Sequence, residues 1–313
     1  MTRKLCKYLF VLGSLLCALS ACAELPASNP PPTPTPPLAP YNAAVATAEA
    51  GGDPKAVAAT YYERGNARLD AGDDQAAIAD YDQAIKLDPT NARAFNNRAL
   101  ARVALGQAAP ALADYSEAIR LDPNYLRAYQ NRVHLLEQQG DLAGAAADYE
   151  RLAVIDPTNA ADYRYRQGSV LHGQRDFAGA RRAYDAALAA NPQQVDALYE
   201  RALLSFAERK LPAAIADLDT ALRLSPRAAN AYYARGLAWS AQGDNTRAIA
   251  DFSAALGLRP DYAEALLARA TAYHDAKNDA KARADLDSLR KLQLAEGLKA
   301  AAEALSRQIG YAQ

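Results

Sequence analysis

The sequence predicts an all-α fold: a solenoid of seven helical hairpins of about 34 residues each, closed by a C-terminal helix. Three observations predict it. Prolines recur at 89, 123, 157, 192, 226 and 260, at intervals of 34, 34, 35, 34 and 34. With Pro89 set as position 32 of a frame, position 20 is alanine seven times over: Ala77, Ala111, Ala145, Ala180, Ala214, Ala248 and Ala282. Position 24 is bulky (Tyr81, Tyr115, Tyr149, Tyr184, Leu218, Phe252, Leu286), whereas position 8 is small or modest (Gly65, Ala99, Val133, Gly168, Ala202, Gly236, Ala270). A period of this length marks an array in which each unit buries its apolar face against the next.

The elements follow in chain order. Residues 1–21 carry Arg3, Lys4 and Lys7, then an apolar stretch from Tyr8 to Leu19 and small residues before Cys22, the layout of a secretory signal. The stretch is well short of the roughly 20 residues a membrane-spanning helix needs. Leu19-Ser20-Ala21-Cys22 resembles the bacterial lipobox, which implies removal of residues 1–21 and acylation of Cys22. The residue after Cys22 is Ala23 rather than aspartate, so by the same resemblance the expected address is the outer membrane, facing the periplasm, with inner-membrane anchoring the alternative. Residues 22–57 form a linker: eight prolines fall between Leu25 and Pro40, a run that favours extended polyproline II, with a short helix expected over 42–50. At ~3.1 Å per residue, residues 23–40 make a spacer of up to roughly 55 Å.

Repeats are expected at 58–91, 92–125, 126–159, 161–194, 195–228, 229–262 and 263–293. Within each, small residues at positions 8 and 20 let two antiparallel helices approach closely, and the bulky residue at 24 fills the space between neighbouring hairpins. Gly72, Gly106, Gly140 and Gly243 supply the left-handed turn at position 15, where the fourth repeat has Arg175. Asp88-Pro89, Asp122-Pro123 and Asp156-Pro157 stop the second helices, since proline disfavours helix for its predecessor. The fourth repeat carries one extra residue, which leaves the register of its first helix open by one. Residues 294–313 supply a capping helix and tail.

Position 7 is Arg64, Arg98, Arg132, Arg201, Arg235 and Arg269, and position 23 is Asp80, Asp114, Asp148, Asp217, Asp251 and Asp285. Both charges vanish in repeat four, where Gln167 and Ala183 stand instead. Antiparallel packing sets position 7 opposite 23–24, so an Arg–Asp bridge is expected within each of the other six hairpins. A row of arginines reading an anionic ligand is the competing reading, disfavoured because each has its own carboxylate.

The pattern of small-8, Ala-20, aromatic-24 and Pro-32 is similar to that of the tetratricopeptide repeat family over residues 58–293. The resemblance implies a right-handed α-solenoid whose concave groove is lined by positions 2, 5, 6, 9 and 12 of the first helices. Those positions supply Tyr62, Asn66, Asn96, Asn97, Arg127, Gln130 and Asn131 in repeats one to three. Amides offer donors and acceptors suited to the main chain of an extended peptide. The family's carboxylate clamp is incomplete here, because Tyr62 and Asn131 replace two of its cations. In repeats four to six Tyr165, Tyr199, Leu203, Phe206, Tyr233 and Leu237 fall on the same wall. With Tyr232 assigned to the core, Tyr199 and Tyr233 are expected to form an exposed aromatic binding stripe. The partner site is therefore expected to change character near repeat four.

The chain has 313 residues, half of them hydrophobic, enough for one large or two modest domains. Without Arg3, Lys4 and Lys7 it holds 32 basic against 36 acidic residues, a balance that argues against tracking nucleic-acid phosphates. The three cysteines, at 6, 17 and 22, offer neither a disulfide framework nor a metal site. His134, His172 and His274 sit in different repeats, and no Gly-rich phosphate loop or Gly-x-Ser-x-Gly elbow occurs. The expectation is a non-enzyme without catalytic residues, metal or cofactor beyond the acyl groups on Cys22. It is expected to act as an envelope scaffold or adaptor for protein partners or extended peptides, by resemblance peptidoglycan hydrolases or proteases. The alternatives are a pilotin-like assembly factor for a pilus, secretin or outer-membrane machine, and a small-molecule or glycan-binding lipoprotein.

Overall fold

The computed structural model describes residues 37–311. The expected signal, the Cys22 acylation site and most of the proline-rich linker lie outside the described residues. Sixteen α-helices and one 3-10 turn are present among the described residues, with no strand. They are α1 (Ala39–Gly51), α2 (Pro54–Asp70), α3 (Asp74–Leu87), α4 (Ala92–Ala104), α5 (Ala108–Leu121), α6 (Leu126–Gln139), α7 (Leu142–Ile155) and α8 (Ala160–Gly173). There follow α9 (Phe177–Ala190), α10 (Val195–Ala207), α11 (Leu211–Leu224), α12 (Ala229–Gln242), α13 (Asn245–Leu258), α14 (Ala263–Asp275), α15 (Asp279–Arg290) and α16 (Glu296–Gln308). They form two compact units, 37–183 and 184–311, each built from consecutively packed helices.

The short helix begins at Ala39 rather than 42, because Pro40 fits its first turn, where a missing N–H costs nothing. Side chains close several other helix starts: Asp53, Asp73, Asn91, Asp141, Asp244 and Asn278 each accept a backbone N–H from the first turn. Asp88 stops α3 and accepts from both the Thr90 N–H at 3.0 Å and its hydroxyl at 2.6 Å, so the Asp-Pro step is held by the aspartate as well as broken by the proline. The hairpin turns adopt φ values of 73–88° at Gly72, Gly106, Gly140 and Gly243, and Arg175, Arg209 and Lys277 take the same left-handed conformation without glycine's freedom.

The core follows the period. All seven position-20 alanines are 0% exposed, and the position-24 side chains are at most 2% exposed. In two repeats glycine at position 8 is a steric need: a Cβ on Gly65 would stand 2.7 Å from Tyr81 Cε1, and one on Gly236 2.6 Å from Phe252 Cε1. α8 starts at Ala160, three residues after Pro157, as the other first helices follow their prolines. The extra residue of the fourth repeat therefore falls within α8, ahead of Gln167, and the helix starts one residue ahead of the frame.

Candidate functional site

In six of the hairpins the position-7 arginine meets its own aspartate side-on, through Nε and Nη2. In the unit of residues 37–183 the Nη2···Oδ1 distances are 2.7 Å for Arg64–Asp80, 2.6 Å for Arg98–Asp114 and 2.6 Å for Arg132–Asp148. In the unit of residues 184–311 they are 2.7 Å for Arg201–Asp217, Arg235–Asp251 and Arg269–Asp285. The third nitrogen, Nη1, reaches back to position 25 of the preceding hairpin: to Asp82 at 2.6 Å, Ser116 at 3.0 Å, Asp185 at 2.8 Å, Asp219 at 2.6 Å and Ser253 at 3.0 Å. Arg64, with no preceding hairpin, takes Asn42 of α1 at 3.2 Å. In repeat four Arg164 substitutes, donating to Glu150 of the preceding hairpin at 3.3 Å and to Gln167, which stands where the other repeats have arginine, at 2.9 Å. The hydrogen bonds that Arg201 donates to Asp217 raise its pKa, and those from Arg235 to Asp251 act likewise. These guanidiniums are structural staples, committed to the protein on three sides.

The amide face is a connected chain. Asn131 on α6 donates from Nδ2 to Asn96 Oδ1 at 3.0 Å, Asn96 donates to Asn97 Oδ1 at 2.9 Å, and Asn97 donates to Asn66 Oδ1 at 2.9 Å. Asn97 spends its other proton on the Tyr62 hydroxyl at 3.3 Å, and the Tyr81 hydroxyl donates to Asn66 Oδ1 at 2.9 Å. Three first helices, α2, α4 and α6, are thereby tied together. Asn96 is the buried centre, at 2% exposure, while Tyr62, Asn66, Asn97 and Asn131 are half-buried. The open ends are Asn66 Nδ2, a donor, and Asn131 Oδ1, an acceptor. Arg127 stands exposed one turn before Asn131, and Arg93 exposed one turn before Asn97. Tyr125, whose pKa burial raises, lies within electrostatic reach of both arginines and of Tyr62. Neither Arg93 nor Tyr125 stood out in the sequence, although Tyr125 and Tyr262 share position 34, just before a first helix.

The expected aromatic stripe is corrected by burial. Tyr233 is 0% exposed and Leu237 4%, and Leu203 is at 9%, so these three belong to the core. Tyr199 is half-buried, with desolvation raising its pKa, and Tyr165 is half-buried as well. Tyr232, the expected core residue, is the more open of its pair and carries Arg235 over its ring at 5.6 Å. The reason is Tyr262: its ring lies 5.0 Å from that of Tyr233 and is itself covered by Arg259 at 3.3 Å, roofing the position that the period had left open. The Tyr233 hydroxyl has no hydrogen-bond partner among the described residues.

A cleft of about 540 Å³ separates α15 from the C-terminal helix, lined by Leu286, Leu289, Leu292 and Leu294 with Arg290 and Lys299 balanced by Glu296 and Glu303. No group of three His, Cys, Asp or Glu side chains among the described residues is placed to hold a metal.

Helical hairpins packed in series, with an interlocked polar face on the first helices, define a helical-repeat protein-interaction scaffold. The chain belongs to the tetratricopeptide repeat family: its model matches residues 96–160, 165–229, 206–255 and 233–307, and a TPR repeat model matches 65–106. No curated protein sequence matches the chain. Among solved structures it is similar to the C-terminal part of a TPR repeat-containing protein from Cytophaga hutchinsonii, at 16% identity over 77% of this chain and 98% of that one, with a TM-score of 0.60. YrrB, described as a TPR protein with an unusual peptide-binding site, matches at 22% identity over 60% of this chain and 97% of its own, with a TM-score of 0.51. PilW, described as a widely conserved type IV pilus biogenesis factor, matches at 19% identity over 67% and 97%, with a TM-score of 0.50. At these identities the likeness is one of fold.

Proposed function

We propose that the chain is a non-enzymatic scaffold of the bacterial cell envelope, anchored through an acylated Cys22 to the outer membrane and facing the periplasm, that holds envelope proteins by an extended segment. The observation that carries the holding role is the amide chain Asn131–Asn96–Asn97–Asn66. Side chains already ordered by one another pay little further entropy when a ligand arrives. The open donor at Asn66 and open acceptor at Asn131 suit a peptide main chain, which supplies one of each per residue. The lipobox-like Leu19–Cys22 and the proline-rich linker support the anchoring and the stand-off from the membrane. Peptidoglycan hydrolases or proteases are the partners this reading favours.

A second reading, an assembly factor for a pilus, secretin or outer-membrane machine, draws on the description of PilW. The small-molecule reading has only the leucine-lined cleft beside α16, whose opposed charges select no ligand of either sign. Photo-crosslinking in intact cells from the Asn66 position, followed by mass spectrometry, separates the readings. A hydrolase or protease is expected; pilus or secretin subunits select the second reading, and no captured protein removes both. Cys22→Ser should move the protein from the membrane to the soluble periplasmic fraction, and unchanged membrane retention would overturn the anchor.

A further inference from the structure

Arg93 and Asn97 are four residues apart on α4, and Arg127 and Asn131 four apart on α6, so each arginine shares a helix face with an amide of the chain. The Asn131–Asn96 bond shows that these two faces meet. Two exposed guanidiniums therefore lie one turn toward the helix starts from the amide row, both within electrostatic reach of Tyr125. Unlike the position-7 arginines, neither forms an ion pair with a described residue. Asp122, an exposed carboxylate in the turn before α6, accepts the Asn124 N–H at 3.0 Å and forms no ion pair with either arginine. Tyr125 senses both guanidiniums as well as Tyr62.

We propose that this face takes an internal acidic segment in extended form: a side-chain carboxylate between Arg93 and Arg127, with main-chain groups on Asn66 and Asn131. The inference rests on the peptide-holding role proposed above and names its ligand chemistry. Arginine offers a planar pair of donors matched to a carboxylate, and two unpaired ones on a chain of slight net negative charge form a local site of opposite sign. A chain terminus is disfavoured by the same hydrogen bonds. The clamp of related repeats grips a terminal carboxylate through asparagine donors, whereas here Asn97 spends both its protons on Asn66 and Tyr62, and Asn131 spends one on Asn96. What remains open is cationic and suited to a side chain.

The test is fluorescence anisotropy of the purified full chain with a labelled peptide of alternating Asp and Ala, eight residues long and blocked at both ends. Binding is expected that weakens as salt rises, and that is unchanged when the blocked C-terminus is replaced by a free one. It should fall about tenfold or more for the Asn-Ala counterpart, and by a similar factor for the Arg93→Gln/Arg127→Gln variant. Both arginines are exposed, so the variant should keep its circular dichroism and melting temperature. Binding that requires a free C-terminus, undiminished binding by the double variant, or no binding of the Asp-Ala peptide at low salt each overturns the proposal. The cellular crosslinking from Asn66 keeps the two levels apart: a captured partner with a failed peptide assay removes the acidic ligand but leaves the scaffold role, and no captured partner removes the role itself.

Discussion

Tyr233 buries a whole phenol ring against Phe252 and Tyr262 while leaving its hydroxyl without a partner. A buried hydroxyl that loses water without gaining a hydrogen bond costs roughly 1–3 kcal/mol, while the ring contributes burial and aromatic contact. Tyr233→Phe is therefore expected to raise stability by about 1 kcal/mol in urea denaturation; a loss would show that the hydroxyl is satisfied in solution. Tyr233→Ala, by contrast, should cost about 3–5 kcal/mol, as removal of a core aromatic does. Gly236 poses a second contest at residue scale. Alanine would gain about 1 kcal/mol of helix propensity, but its Cβ would meet Phe252 at 2.6 Å, and the ring is fully buried with nowhere to move. Overpacking of this kind costs typically 1–3 kcal/mol, so Gly236→Ala should be net destabilising.

At the scale of the helix pair, the Arg–Asp staple replaces apolar packing at position 7 with a charge held on three sides. The aspartates are nearly all buried (Asp251 at 6% exposure, for example), so removing one strands a guanidinium that cannot leave the interface. Asp251→Ala should cost on the order of 3 kcal/mol, whereas the paired change Arg235→Met/Asp251→Leu should recover most of that loss, because breaking such a pair is worse than never having it. Equal destabilisation by the single and paired changes would mean that the interaction with Asp219 across the hairpin boundary, at 2.6 Å, dominates instead. Repeat four supplies a natural version of the substitution: Gln167 and a buried Ala183 replace the pair, and Arg164 keeps the link to the preceding hairpin.

Across the whole molecule the position-24 and position-34 tyrosines set the alkaline limit. Desolvation pushes Tyr149 up to about 12 and Tyr262 up to about 12, above an ordinary value of 10.0, and raises Tyr81 and Tyr115 as well. A pKa raised by folding means the folded chain holds its proton more tightly than the unfolded one. The stabilisation is thus complete below pH 10 and is lost as pH climbs through about 12. Stability followed by denaturant titration should be flat with respect to these groups up to about pH 10 and decline steeply above it. Tyrosinate absorbance should lag the tyrosine content until unfolding; full ionisation of a still-helical protein near pH 10.5 would contradict the burial.

Period and composition sufficed for the hairpins, the close approach at positions 8 and 20, and the Arg–Asp pairing, because each depends on residues that recur at the same place in every unit. An arginine and an aspartate that vanish together in repeat four already point to each other. The binding face was less legible. Neighbouring positions 4 and 5 differ by about 100° around a helix, and both carry tyrosine at Tyr232 and Tyr233, so the repeat alone leaves open which turns inward. Packing decided it through Tyr262, a residue outside the helix whose ring and Arg259 cap close over Tyr233. Likewise, a run of asparagines announces amide chemistry, but whether those amides face a ligand or one another depends on distances between helices. Only the folded arrangement shows that they bond in a chain, spending Asn97 internally and leaving Asn66, Asn131, Arg93 and Arg127 open.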